Sequence, residues 1–311
     1  MTATRHDAAP LLAAPAQTAA GTVAARAAAH TPPSPSVPGH PLPLAGIDFT
    51  SRPTRRKPIT VALGHLDRGA VRLDRIERHD DFTGFAAWLQ RPGRWLGVFD
   101  LPFGLPRELV LALGWPTEWR PLMALYAALS RDEIRNTFAA FCEARPAGAK
   151  FAHRAADRPA GSSPSMKWVN PPVAYMLHAG VPLLIEAGVH LPGLHAGDAS
   201  RTALEGYPGL LARELIGTRP YKSDDRAKQT PERLIARIDL IDALDQGRTR
   251  LGVRLKLRAA QREALIADAS GDALDAALCL VQAAWASTRP GHGLPALIDP
   301  LEGWIVSAAF E

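Results

Sequence analysis

Cysteine is nearly absent from this chain of 311 residues: Cys142 and Cys279 stand far apart and outside any C-x-x-C spacing. Neither a disulfide framework nor a thiolate metal site can be built from them, and a reducing compartment, the cytoplasm, is the expected location. Long apolar runs are also missing, since every candidate is interrupted by Gly, Pro or charge before the roughly 18 residues that a membrane span requires. No G-x-x-x-x-G-K, no G-x-G-x-x-G behind a strand, no H-E-x-x-H and no G-x-S-x-G occurs. These absences argue against P-loop, dinucleotide-binding, zinc-protease and α/β-hydrolase chemistry. His190 and His195 are five apart with no partner motif, too little for a zinc site.

What the chain does have is 47% hydrophobic residues, enough for a sizeable core, and a net charge of +5 carried by scattered arginines. That balance permits a nucleic-acid partner without demanding one. Residues 1–43 stand apart: they are rich in Ala, Pro and Thr, poor in aromatics, and close on a Pro-laden stretch. Such a segment cannot bury enough surface to offset chain entropy, and a disordered leader is expected there, followed by one domain over 44–311.

From residue 44 three β-rich runs follow, LAGIDFTSR, PITVALGHL and AVRLDRIERHD, the last two joined by Asp67-Arg68-Gly69, a turn suited to a tight hairpin. A short helix at 82–89 leads to the apolar strand 95–99, with Asp100 at its carboxyl end. The order strand, strand, strand, helix, strand places the fourth strand beside the first and parallel to it through a right-handed crossover. Asp48 and Asp100 then become neighbours where open α/β sheets gather their sites. Residues 105–200 read as a mainly helical insertion with a mobile loop at 158–165. A fifth strand ending near Glu205, helices at 232–244, 258–267 and 272–286, and a closing strand at 303–306 complete the reading. The expected fold class is α/β: a mixed sheet, antiparallel over its first three strands and parallel in the next two, flanked by helices.

Acidic residues at the ends of buried strands carry the chemistry, because a carboxylate there loses hydration unless it is paired, hydrogen-bonded or bound to a metal. Each has a local alternative. Asp48 can close a turn with Thr50 or Ser51, Asp100 an Asx-turn before Pro102, and Glu205 can favour a helix dipole. Asp272 and Asp275 have the spacing of a capping box, yet that i, i+3 spacing also puts both on one helix face. Together the five are the parts needed to hold two hard cations, Mg²⁺ or Mn²⁺, around a phosphodiester. Lys222 and Arg219 in RPYK can contact phosphate, as ordinary solvated charges also would sit there. Lys167 beside Trp168 offers charge and stacking for a single strand, against a core role for the Trp.

The segments GID at 46–48, FDLPFG at 99–104, EGYPG at 205–209, PYK at 220–222, GDALDAALCLVQAAW at 271–285 and EGWIV at 302–306 resemble, in order, the RNase H-like nuclease family called domain of unknown function 429. The resemblance spans about 44–306. It implies an RNase H-like fold and a metal-dependent nuclease, with Asp48, Asp100, Glu205 and Asp275 as metal ligands and Asp272 beside them as a further catalytic acid. Two other functions remain open on sequence: a binding or scaffolding protein that keeps the acidic cluster without turnover, and an ATP-using phosphotransferase of the related actin-like topology.

Overall fold

The computed structural model describes residues 41–308. The expected leader lies outside these residues except for its last three, and the first strand already begins at Pro43. β1 (Pro43–Asp48), β2 (Ile59–Asp67) and β3 (Ala70–His79) form the antiparallel meander. Arg68 and Gly69, with φ of 48° and 79°, make the turn between the last two, and the positive φ at both central positions is what a two-residue hairpin of matching twist requires. α1 (Phe82–Leu89), capped by the Asp81 side chain, crosses back to β4 (Trp95–Asp100), which pairs parallel with β1.

Five helices follow: α2 (Arg107–Ala112), α3 (Trp119–Ala128), α4 (Arg131–Glu143), α5 (Asp157–Ala160) and α6 (Val173–Glu186). Then come the short β5 (Val189–His190) and β6 (Asp198–Glu205), the strand expected to end near Glu205. α7 (Pro208–Ile216), α8 (Pro231–Asp245), β7 (Arg254–Lys256), α9 (Ala259–Ala267) and α10 (Asp272–Ser287) complete the regular elements that position the site. The sheet has seven strands in the order β5-β6-β4-β1-β2-β3-β7. Only β2 runs against the others. This mixed α/β sheet is consistent with RNase H-like topology.

Two apolar cores lie on opposite faces of the sheet. One contains Ile47, Phe99 and Ala203 with residues of α1 to α4 and α6; the other contains Leu44, Val98 and Leu204 with residues of α7 to α10. The alternation follows from the two-residue period of a strand. α10 is buried along nearly its whole length, as expected of a helix that is apolar all round. Gly46 lets it approach: a Cβ there would stand 2.0 Å from the Ala276 carbonyl oxygen, an overlap that no side chain tolerates.

Two local expectations change. Residues 158–165 are not a free loop, because Asp157 accepts hydrogen bonds from the Arg154 backbone and side chain and from the Ser162 hydroxyl, and Ser165 is buried. The closing strand reduces to one bridge, between Ile305 and Glu205. No helix among the described residues is long and apolar enough to cross a membrane.

Candidate metal centre

The sheet reverses its winding between β1 and β4, and the crevice there receives the carboxyl ends of both strands. Asp48 and Asp100 are the last residues of these strands and are register partners, so their side chains leave the same face, toward α10. Asp275, in the first turn of α10 and fully buried, meets them from above. One carboxylate oxygen from each of the three lies within 4.8 Å of the others. Two oxygens bound to one divalent ion at about 2.1 to 2.4 Å stand at most roughly 4 to 5 Å apart, so the triad has the dimensions of a single-ion ligand set.

The environment raises the energy of this cluster when it is fully ionised. Burial strips water from Asp48, and the charges of Asp275 and Asp272 add to the effect, so its pKa lies well above the usual carboxylate range. Asp100 is pushed up to about 7 by burial and then by Asp275. An all-oxygen set under mutual repulsion suits a hard cation. Thr60 supplies a further observation: it is the register partner of Asp48 on β2, is buried on the same face, and its Oγ1 has no hydrogen-bond partner among the described residues. The residues present therefore fit a divalent ion.

Around the triad lies a set of supporting groups. The Tyr221 hydroxyl donates to Asp275 Oδ1 at 2.5 Å, and the Lys222 ammonium pairs with Asp275 Oδ2. Burial alone would lower Lys222, but Asp275, Tyr221, Asp48 and Asp100 outweigh it and hold the amine charged. Asp272 turns aside to Lys57 Nζ at 2.6 Å, and Lys57 also reaches Asp224 at 2.9 Å. The N-cap of α10 is Gly271, so Asp272 does not cap the helix through its side chain.

Glu205 is placed differently. Its register partner on β4 is Phe99, one residue before Asp100, and a one-residue offset sends a side chain to the opposite face. There Arg154 grips both its oxygens, at 2.6 and 2.7 Å, and the Phe103 amide donates at 3.0 Å. Arg154 also pairs with Asp157, giving a buried network that the sequence reading missed. Nothing in its local spacing marks Arg154 as a partner of Glu205.

A cavity of about 560 Å³ opens beside Asp100 and Lys222 and runs between α6, α7 and the segment 217–222. Arg219 lines it, while its guanidinium pairs with Asp239 at 2.7 Å. Lys167 does not line it, and Trp168, half-buried like its neighbour Phe151, packs with that ring against the edge of the core.

Fold and site together define a class: an α/β protein with a mixed sheet and a buried acidic triad that could bind a metal at the carboxyl ends of β1 and β4. No family model, curated protein or solved structure matches this chain.

Proposed function

We propose that this protein is a metal-dependent phosphodiesterase acting on nucleic acid, a nuclease of the RNase H-like kind that the sequence motifs resemble. The observation that carries the proposal is the triad Asp48, Asp100 and Asp275, brought within 4.8 Å at the sheet's switch point. These three would hold Mg²⁺ or Mn²⁺, and a bound divalent ion supplies charge stabilisation at a phosphoryl group.

The chain's own residues do the rest. Tyr221 fixes the orientation of Asp275 through one oxygen, an outer contact of the sort that keeps a ligand in place. Lys222, partly exposed beside the triad, puts a fixed positive charge where a phosphate would enter. Lys57 neutralises Asp272, so that the second acid of the helix start is held out of the triad. A second ion, expected from the number of acids, would have to draw on Asp272 after displacing Lys57, because Glu205 is turned to the other face and is saturated by Arg154.

The test is cleavage of a panel of DNA, RNA and hybrid substrates by the full chain with Mg²⁺ or Mn²⁺, alongside calorimetric Mn²⁺ titration. Metal-dependent cleavage is expected, lost with EDTA and in Asp48→Asn. Nucleic-acid binding that persists in EDTA with no cleavage across the panel would instead establish a binding protein.

A further inference from the structure

Asp100 is the one member of the triad that lines the cavity, and the rest of that cavity has a chemistry of its own. Asp100 lines it together with Lys222, whose amine pairs with Asp275 of the triad. Much of the lining is apolar: Leu101 just after β4, Val173 and Met176 on α6, and Ile216 at the end of α7; the Arg154–Glu205 ion pair, Arg213 and Arg219 add charge to it. Tyr207 also lines the cavity and is held from two sides. The Arg213 guanidinium lies over its ring at 5.1 Å and donates to its hydroxyl at 2.9 Å, while a second Arg213 nitrogen donates to the Ala160 carbonyl at 2.6 Å. Ser163 and Thr218 add hydroxyls to the lining.

This is a half-open, mainly apolar cavity that also carries charged groups, Asp100 and Lys222 next to the triad among them, in the roughly 300 to 1,000 Å³ range of small-ligand sites. A ligand that matches it has an anionic end at the triad and a flat, apolar body with polar edges behind it. A nucleotide has that form, the phosphate being the anion and the base the body. The chamber lies between two helices, so a base can enter it only after leaving its stack and its pairing partner. A free sugar phosphate would leave the apolar walls uncovered, and a stacked duplex would present only its backbone to the cavity.

We propose that the cavity is a nucleoside pocket that accepts one unpaired nucleotide, from a single strand or a free mononucleotide, with the adjoining phosphate at the Asp48, Asp100 and Asp275 triad. This rests on the metal-site reading above for the position of the phosphate. The base is held by the apolar walls and Tyr207, with Ser163 and Thr218 available to its edges. Single-stranded polynucleotide or frayed ends are then the substrate class, and paired duplex interior is excluded.

The test fills the chamber without touching the triad. Val173 and Met176 are only partly buried, so Val173→Trp and Met176→Trp can each place an indole into the cavity from α6 at two independent positions. Three quantities are measured on the full chain by calorimetry and gel assay: Mn²⁺ affinity in the absence of nucleotide, affinity for adenosine and uridine and for their 5′- and 3′-monophosphates, and cleavage of matched single-stranded and blunt duplex oligonucleotides. The expected result is at least about tenfold weaker nucleoside and nucleotide binding in both variants, with single-strand cleavage reduced in parallel and Mn²⁺ affinity unchanged. Wild-type protein should prefer the single strand over the duplex, and tighter binding of the monophosphates than of an oligonucleotide would point to free nucleotides as the substrate. Nucleoside affinity unchanged in both folded variants overturns the pocket, as does equal cleavage of duplex interior. Absence of Mn²⁺ binding in the wild type counts against the metal centre alone. The pocket is then still judged by the nucleosides, whose loss in the Trp variants supports it and whose retention sinks it.

Discussion

Asp100 and Glu205 end adjacent parallel strands, yet one belongs to an acidic triad and the other to a buried ion network. The separation is a single step of register, because Glu205 pairs with Phe99 and so faces the other side of the sheet. Burial raises the pKa of both. At Glu205 the charge and hydrogen bonds of Arg154 and the Phe103 amide oppose that rise. At Asp100 the nearby Asp275 adds to it. The first region is a carboxylate already supplied with its cation; the second is a set of carboxylates that lacks enough of one. A site for an exchangeable ion is of the second kind, since a permanently fixed guanidinium leaves no place for it.

The comparison is broken most severely by Asp48→Asn. Cleavage is expected to fall by at least about 10³-fold while the fold survives, because the substitution removes a repelled charge and leaves the packing intact. Activity retained in this variant would falsify the assignment. Glu205→Gln should do the reverse. Leaving Arg154 with Asp157 as its only carboxylate is expected to lower unfolding stability by roughly 3 kcal/mol, read by urea denaturation, with cleavage per folded molecule nearly unchanged.

A subtler test uses pH. Asp48 and Asp100 have folded pKa values above their unfolded ones, so the folded state favours their protonated forms. Their contribution to stability is present below about pH 4 and is lost as pH rises through about 7 for Asp100. In EDTA, the melting temperature is therefore expected to fall between pH 5 and about 8, and Asp100→Asn should flatten that fall and stabilise the protein at pH 8 by of order 1 to 3 kcal/mol. Added Mn²⁺ should restore the wild type and not the variant. A melting temperature that rises over the same interval would contradict the strain attributed to the triad. Smallest in effect, Tyr221→Phe frees one oxygen of Asp275 and is expected to weaken Mn²⁺ binding by about tenfold by calorimetry, with little change in stability beyond a lost hydrogen bond. Unaltered affinity would show that Asp275 is held by packing alone.

Much of the site was legible along the chain. Asp48 and Asp100 stand where apolar runs stop, and a strand, strand, strand, helix, strand order brings the fourth strand to the first by the right-handed crossover rule. The acidic start of α10 was visible too, but the i, i+3 spacing that puts Asp272 and Asp275 on one face does not say which of them turns inward. Asp275 enters the triad, and Asp272 is drawn off by Lys57, 215 residues away in the chain. Of the three basic residues expected to meet phosphate, Lys222 reaches the triad, Arg219 lines the cavity while paired to Asp239, and Lys167 stands away from it.

Sequence by itself determined the alternation of apolar residues that makes the sheet and the acids that end β1 and β4, because each depends on near neighbours and on periodicity. The tertiary structure alone decided the face on which Glu205 emerges, the capture of that residue by Arg154, the role of Tyr221, and the cavity between α6 and α7. Those features follow from strand register and from contacts between distant segments. A side chain's direction changes with a slip of one residue, and a local pattern carries no record of that slip.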